Sequence, residues 1–293
     1  MRPDIDELRA WTGRQEVVED VVTLFPVAAL AATLDRDDPA PAPGTPLPPL
    51  WHWLYFLPLH RQSAIGPDGH ARRGGFLPPV PLPRRMWAGG RFEFRRPVRV
   101  GDAVRRTSTI ADVSLKEGRT GPLAFVLVRH EVATAEGGVA LVEEHDIVYR
   151  DLPRPGGAAP APRPAPADTP WRRDVHPDDV LLFRYSALTF NGHRIHYDRR
   201  YVTEVEGYPG LIVHGPLIAT LLADLLRRHT DVPMTAFRFR AVRPLFDVAD
   251  FAVCGAPSAD GRRASLWARD ADGFLAMEAE AELGGAGETS HDR

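Results

Sequence analysis

The sequence predicts an α+β chain built as two similar halves, each a buried helix with an antiparallel sheet around it. Three observations carry this. A segment dense in Pro, Ala and Gly, Asp151 to Pro170, divides the 293 residues into parts of similar length and reads as a semi-rigid linker. Each part passes from an apolar helical stretch into a series of strand-like runs. The two parts also share wording. Phe92-Glu-Phe94-Arg95 leads to Pro97-Val98 and Asp102, while Phe237-Arg-Phe239-Arg240 leads to Pro244-Leu245 and Asp250. A repeat of that kind at matching places is the mark of an internal duplication.

In chain order, Val17 to Leu34 reads as the apolar helical region of the first half, and Pro39 to Pro49 as a surface loop. Trp51-His-Trp53-Leu-Tyr55-Phe56 reads as a core or interface element that could also line a pocket. Strands are expected at Arg91–Arg96, Ala103–Leu115, Leu123–Ala133 and Val139–Tyr149, with turns at Lys116–Gly121 and Gly137-Gly138. In the second half Pro216 opens a helix, Leu217 to Leu226, which Arg227 and Arg228 close where they complement its dipole. Its leucines cover too wide an arc for a surface helix, so burial is expected. Strands follow at Ala236–Arg243, Phe246–Gly255, Ala264–Arg269 and Phe274–Leu283, the last two joined at Asp272-Gly273. The boundaries are therefore 1–150, a linker 151–170, and 171–293, with Gly284 to Arg293 frayed. Edge strands of the two sheets are expected to pair into one sheet, which removes two exposed edges.

Composition excludes several classes. At 44% hydrophobic and 26% charged residues the chain has the balance of a folded protein. A net charge of -3 gives no pull toward nucleic acid or an anionic membrane. The single cysteine, Cys254, rules out an internal disulfide or a multi-cysteine metal cage. Met1 to Gln15 lacks the apolar core of a signal peptide, and the runs Leu50–Leu59 and Leu217–Leu226 are too short to span a bilayer. A cytoplasmic location is the expectation. There is no Gly-x-Ser-x-Gly elbow, no Gly-x-Gly-x-x-Gly after a strand and no P-loop, which argues against serine hydrolase, nicotinamide and nucleotide chemistry.

The stretch that carries chemistry is Arg184-Tyr-Ser-Ala-Leu-Thr-Phe-Asn191-Gly-His193-Arg194-Ile-His196-Tyr-Asp198, followed by Tyr208-Pro-Gly210-Leu-Ile-Val-His214-Gly215-Pro216. A histidine exchanges protons near neutral pH. The N–H groups that open the Pro216 helix are unpaired and lie at the positive end of its dipole, which suits a developing oxyanion. Simpler readings stand beside this one. Asn191-Gly192 alone is a common turn. His193, His196, Asp198 and His214 form a zinc set only at a spacing that matches no recognised ligand pattern. Asp198 is either a histidine's partner or an exposed charge. Arg72, Arg73, Arg84, Arg85, Arg184 and Arg194 suit phosphate or carboxylate recognition, or are solvated surface.

This pattern resembles the MaoC-like (hydratase 2) signature, a Gly-Asp-x-Asn-Pro-aliphatic-His block ahead of a His-Gly at the start of a central hot-dog helix. It is more similar still to the 3-hydroxyacyl-thioester dehydratases and mesaconyl-C4-CoA hydratases. That likeness extends into the first half at Phe76-Leu-Pro-Pro-Val80 and Met86-Trp-Ala-Gly-Gly90. The resemblance implies a double hot-dog with its catalytic motif in the second half. Carried over by position, His196 falls on the catalytic histidine, His193 on an asparagine and Asn191 on the catalytic aspartate. Gly215 falls where a backbone N–H meets the thioester oxygen, with His214 and Gly210 beside it. Two departures matter: Asn191 cannot act as a carboxylate base, and Arg194 replaces proline.

The expected function is a hydro-lyase that reversibly hydrates an enoyl thioester, most simply a short-chain or C4/C5-dicarboxylic acyl-CoA such as mesaconyl-C4-CoA. His196 would transfer the proton, Asn191 would orient water through its amide, and Arg194 or Arg184 would meet the acyl group. The expected site holds no metal, and no cofactor is expected beyond the CoA thioester itself. Carrier-protein dehydratase, acyl-thioester binding module and hot-dog thioesterase are the other readings, and a homodimer stays open.

Overall fold

Runs of alternating apolar and polar residues, rich in Val, Phe and Ala, build ten strands that pair into one antiparallel sheet. A computed structural model of the chain describes residues 4–72, 74–118, 121–135, 137–151, 161–167 and 169–284. The strands are β1 (Gln15–Val21), β2 (Arg84–Phe94), β3 (Ala103–Gly118), β4 (Gly121–Thr134), β5 (Val139–Arg150), β6 (Trp171–Val175), β7 (Met234–Ala241), β8 (Phe251–Pro257), β9 (Arg263–Arg269) and β10 (Leu275–Leu283). Their order across the sheet is β1-β3-β4-β5-β2-β7-β10-β9-β8-β6. Five strands of the first half are thus mirrored by five of the second, and the halves meet where β2 pairs with β7.

The repeated sequence motif lies on that seam. Phe92 of β2 stands opposite Phe237 of β7 in the register, with ring centroids 6.0 Å apart. Both copies of the aromatic-x-aromatic pattern bury their rings against each other, so duplication and seam are one feature. The two edge strands that would otherwise be exposed are paired.

Five α-helices complete the described chain: α1 (Ile5–Arg9), α2 (Leu24–Thr33), α3 (Asp179–Leu188), α4 (Arg199–Glu204) and α5 (Gly215–Arg227). Every residue of α5 from Leu217 to Leu226 is buried, and the helix packs on β6, β8, β9 and β10. In the first half α2 packs against α3 and the turn Trp51–Leu54. The main core joins α2, Trp51–Phe56, α5 and the inner faces of the sheet across the seam.

Three expectations need correction. Val17 to Leu34 is not one helix: Gln15–Val21 is a strand paired with β3, and the helix begins at Leu24. The β-branched Val17, Val18 and Val21 suit a half-exposed pleated edge better than a helix. The strand expected from Phe246 starts only at Phe251, because Asp247 sits in a turn whose carboxylate accepts from Leu211 N–H at 2.8 Å. Strands β1 and β6 and helices α1, α3 and α4 were not foreseen, and β2 begins at Arg84, seven residues before the strand expected from Arg91, and ends at Phe94. Half of the expected linker, residues 152–160 and 168, and the tail beyond Gly284 lie outside the described residues. Within the linker, the backbones of Arg163 and Ala165 bond to Leu275 and Gly273.

Candidate functional site

Between α3 and α5 the chain makes a series of tight local structures that aim side chains at one point. Asp178 caps α3 by accepting from Leu181 N–H at 2.8 Å. The helix ends where Phe190 takes a left-handed φ of 49°, and Asn191 N–H donates to Ser186 O at 2.8 Å. The Asn191 side-chain oxygen then accepts from His193 N–H at 3.0 Å, an Asx turn. The next turn, Arg194–His196, is a single 3₁₀ turn. Asp198 follows it, capping α4 through Tyr201 N–H at 2.9 Å and holding the Arg194 guanidinium at 3.0 and 2.8 Å. A strap, residues 208–214, runs from α4 into α5.

His196 is buried and its Nδ1 lies 2.7 Å from Ile212 O. A carbonyl only accepts, so Nδ1 carries the hydrogen and Nε2 keeps its lone pair. The ring stacks on His214, centroids 3.7 Å apart and 17° between planes. His193 meets His196 edge to face at 5.4 Å. His214 is fully buried, with Nε2 at 2.8 Å from Ser186 Oγ on α3. Burial pushes His196 down to about 4, pushes His193 down to about 2, and holds His214 well below the usual histidine range. These groups are therefore neutral bases at neutral pH. Gly215, next to His214, opens α5, and the space where a side chain would stand is empty. Pro216 has no N–H, so the donors at this helix start are those of Gly215 and its successors.

The first half reaches into the same place. Bridge pairing of Ile65 with Ala71 and a 2.7 Å bond from Gly66 N–H to His70 O make a small hairpin tipped by Asp68-Gly69. Gly69 has φ +89°, and a Cβ there would lie 1.8 Å from Gly192 O, so only glycine fits this approach. Arg194 N–H donates to Asp68 O at 2.9 Å, and Arg194 Nη1 donates to Pro67 O at 3.0 Å. His70 is thereby set against His193, ring centroids 3.9 Å apart. His70 Nδ1 lies 3.2 Å from the Asp68 carboxylate. Burial opposes the Asp68 charge, yet the bonds from the His70 ring and backbone hold its carboxyl below the usual range.

Of the residues singled out in the sequence, His193, His196, His214 and Gly215 gather at one point, and Asn191 shapes the turn that holds His193. Arg194 lies beside them with its guanidinium engaged by Asp198 and Pro67 and stacked 4.1 Å over Tyr201. Arg184 is exposed on α3 and rims a separate cleft with Asp35, Arg173 and His176. Gly210 is buried where a Cβ would fall 2.3 Å from Asp247 Oδ1, a packing position. The histidines and Asp198 do not assemble the zinc set, since Asp198 is bound to Arg194 and His196 to Ile212. Among the described residues the trio whose ligand atoms come within 4.8 Å of one another is Asp68, His70 and His193. Of the other arginines, Arg84 donates to Tyr208 Oη at 3.0 Å. Arg85 is exposed and close enough to lower the His193 basicity. Arg73 lies outside the described residues. Sequence reasoning missed Asp68, His70 and Ser186. The dipeptide Asp68-Gly69 signals only a turn, and nothing in the spacing says what that turn touches.

The model of the family described as hydroxyacyl-thioester dehydratase type 2 matches residues 50–247. Over 279 residues the chain is 51% identical to a mesaconyl-C(4)-CoA hydratase of Chloroflexus aurantiacus, covering 94% of this chain and 98% of that protein. A mitochondrial hydroxyacyl-thioester dehydratase type 2 of Schizosaccharomyces pombe is 26% identical over 268 residues, 81% of this chain and 89% of that protein. Among solved structures, a MaoC-like dehydratase superposes with a TM-score of 0.71 at 15% identity, covering 94% of this chain and 99% of its own. A Mycobacterium tuberculosis protein described as a double hot-dog fold superposes with a TM-score of 0.55 at 14% identity, covering 93% and 96%. These structures agree in fold with the mirrored ten-stranded sheet.

Proposed function

Because the chain belongs to the hydroxyacyl-thioester dehydratase type 2 family, an enzyme family of double hot-dog fold, we propose that its hydro-lyase chemistry on enoyl thioesters runs through His196. The observation that carries this is the 2.7 Å bond of His196 Nδ1 to Ile212 O, which leaves Nε2 bare on a ring stacked against His214, the residue before α5. In hydration, Nε2 takes a proton from water while the water oxygen bonds to the β-carbon. The alkene electron pair moves toward the thioester, whose oxygen gains negative charge. Gly215 N–H and the positive end of α5 stabilise that oxygen. The α-carbon then receives a proton, and the 3-hydroxyacyl thioester leaves. Dehydration is the same path reversed. The Asn191 amide nitrogen, its oxygen being held by His193 N–H, is the part left to orient water. The chemistry uses no metal or redox cofactor.

For the substrate we propose a short dicarboxylic enoyl-CoA of the mesaconyl-C4-CoA type. The support is the 51% identical relative of that name, together with Arg85, an exposed guanidinium within electrostatic range of His193. Arg194, engaged by Asp198, is not free to hold a carboxylate. The test is turnover of mesaconyl-CoA, itaconyl-CoA, crotonyl-CoA and a medium-chain enoyl-CoA, followed by loss of absorbance and product mass. Preferred turnover of mesaconyl-CoA, abolished in a folded His196→Ala protein, is the expected result. Full activity in His196→Ala ends the assignment. No turnover of any member by folded wild-type protein shifts the substrate to a carrier-protein thioester.

A further inference from the structure

Adding water across a double bond moves two protons: one leaves water, and one arrives at the α-carbon. His196 has one available nitrogen, and Asn191 has no titratable group at all. We propose that His70, positioned by Asp68, is the second proton-transfer group of this site and is delivered to it by the first half of the chain. The inference rests on the hydratase reading above.

Geometry assigns the roles. The Asp68 carboxylate can only accept, so His70 Nδ1–H donates to it at 3.2 Å, which turns Nε2 away from Asp68 and fixes the ring. A carboxylate behind an imidazole orients it and stabilises its protonated form. The ring lies 3.9 Å from His193, which itself contacts His196. The hairpin is held against the catalytic turn by the bonds from Arg194 to Asp68 O and Pro67 O and by the glycine contact at Gly69 and Gly192. Such precise docking of two backbones is more than covering a surface demands. Around His70 the titratable or charged groups are Asp68 on its own hairpin, His193 and Arg194 on the catalytic turn, His196 behind them, and Arg85 on β2.

His196 Nε2 takes one proton from water, and the hydroxide oxygen forms the C–O bond at the β-carbon. The π pair becomes the α-carbon's lone pair, held as the enolate. His70 Nε2–H gives its proton to the α-carbon and the enolate collapses to the thioester. The cycle leaves one proton on His196 and one missing from His70, and exchange with solvent or through His193 between them restores both.

The same trio of Asp68, His70 and His193 offers ligand atoms within 4.8 Å. The Asp68 carboxylate is already engaged by the His70 backbone N–H at 3.1 Å and by His70 Nδ1 at 3.2 Å, an arrangement that orients the His70 ring for proton transfer.

The test uses the full chain and whichever enoyl-CoA it turns over. His70→Ala and His70→Gln should each lower kcat by about 100-fold with KM changed less than about threefold, and added imidazole should restore part of the His70→Ala activity. Asp68→Asn should lower kcat by about tenfold and move a limb of the pH profile. Wild-type kcat in folded His70→Ala overturns the proposal. So does an active His70→Gln beside an inactive His70→Ala that imidazole fails to rescue, since that pattern means packing alone. Loss of wild-type activity on EDTA dialysis with recovery on adding zinc also overturns it, in favour of a metal site. Wild-type inactivity toward the enoyl-CoA panel and toward carrier-protein enoyl thioesters alike sinks the hydratase reading instead, whereas an active wild type with a dead His196→Ala and a fully active His70→Ala sinks only this one.

Discussion

Asp224 carries a buried carboxylate on α5, and arginines from three elements reach it: Arg36 after α2 at 3.3 Å, Arg173 of β6 at 3.0 Å and Arg228 at 2.7 Å. Arg173 and Arg228 also donate to Leu34 O, so one residue ties the end of the first half's helix to the second half. Removing one member of a buried charge cluster leaves the others uncompensated, at about 3–5 kcal/mol. Asp224→Asn should therefore lower unfolding stability by about 3 kcal/mol in urea while turnover at 25 °C persists, because α5 meets the site at its other end. A loss under about 1 kcal/mol would show that the arginines find other partners. Nothing in the sequence pointed to this cluster, because Arg36, Arg173 and Asp224 are far apart in the chain. The same reason hid His70 and Asp68. His193, His196 and His214 were legible because they crowd one stretch that ends at a Pro-opened helix, so local sequence already implies local space.

Among the elements, α5 was the most legible and β6 the least. Ten consecutive buried residues cover every face of α5, and no surface helix has that composition. Strand β6 is Trp171-Arg-Arg-Asp-Val175, a polar edge with few β-branched residues, which only pairing with β8 identifies as a strand. The strap at 208–214 shows why Gly210 read as a site residue without touching the site. Leu211 N–H binds Asp247 Oδ1, Arg199 pairs with the same carboxylate, and one residue on Ile212 O holds His196. A methyl at position 210 would fall 2.3 Å from Asp247 Oδ1 and 2.7 Å from Val248, forcing the strap outward. Gly210→Ala should destabilise the fold by about 1–3 kcal/mol. By displacing the carbonyl that sets the His196 tautomer, it should also lower kcat roughly 10- to 100-fold. Thermal melts and steady-state rates on the same preparation check both, and an unchanged kcat would mean that Ile212 O keeps its place when residue 210 is displaced.

For the whole molecule, two half-sheets joined at Phe92 and Phe237 close one core over histidines from both halves, and this makes stability a function of pH with a definite sign. Burial holds His196 down to about 4, His193 to about 2, His130 to about 3, and His214 well below its ordinary value. Each is neutral in the fold and titrates near 6.5 once unfolded, so below that pH the unfolded chain binds protons that the native chain refuses. Their contribution is complete above about pH 6.5 and is lost as pH falls toward 4, by about 1.4 kcal/mol per pH unit for each such group. Asp68 and Glu143, held below the carboxylate range, act in the same direction but only at lower pH. His176 opposes them, raised by its bond to Asp250, but it is fully exposed. Native stability at pH 5.0 should accordingly lie at least about 2 kcal/mol below that at pH 7.5, one histidine's share alone. Urea midpoints at pH 7.5, 6.0 and 5.0 read this directly. A midpoint that does not move across this range would mean that these rings are solvated and charged in the native protein, and His196 would then have no lone pair to offer water near pH 5.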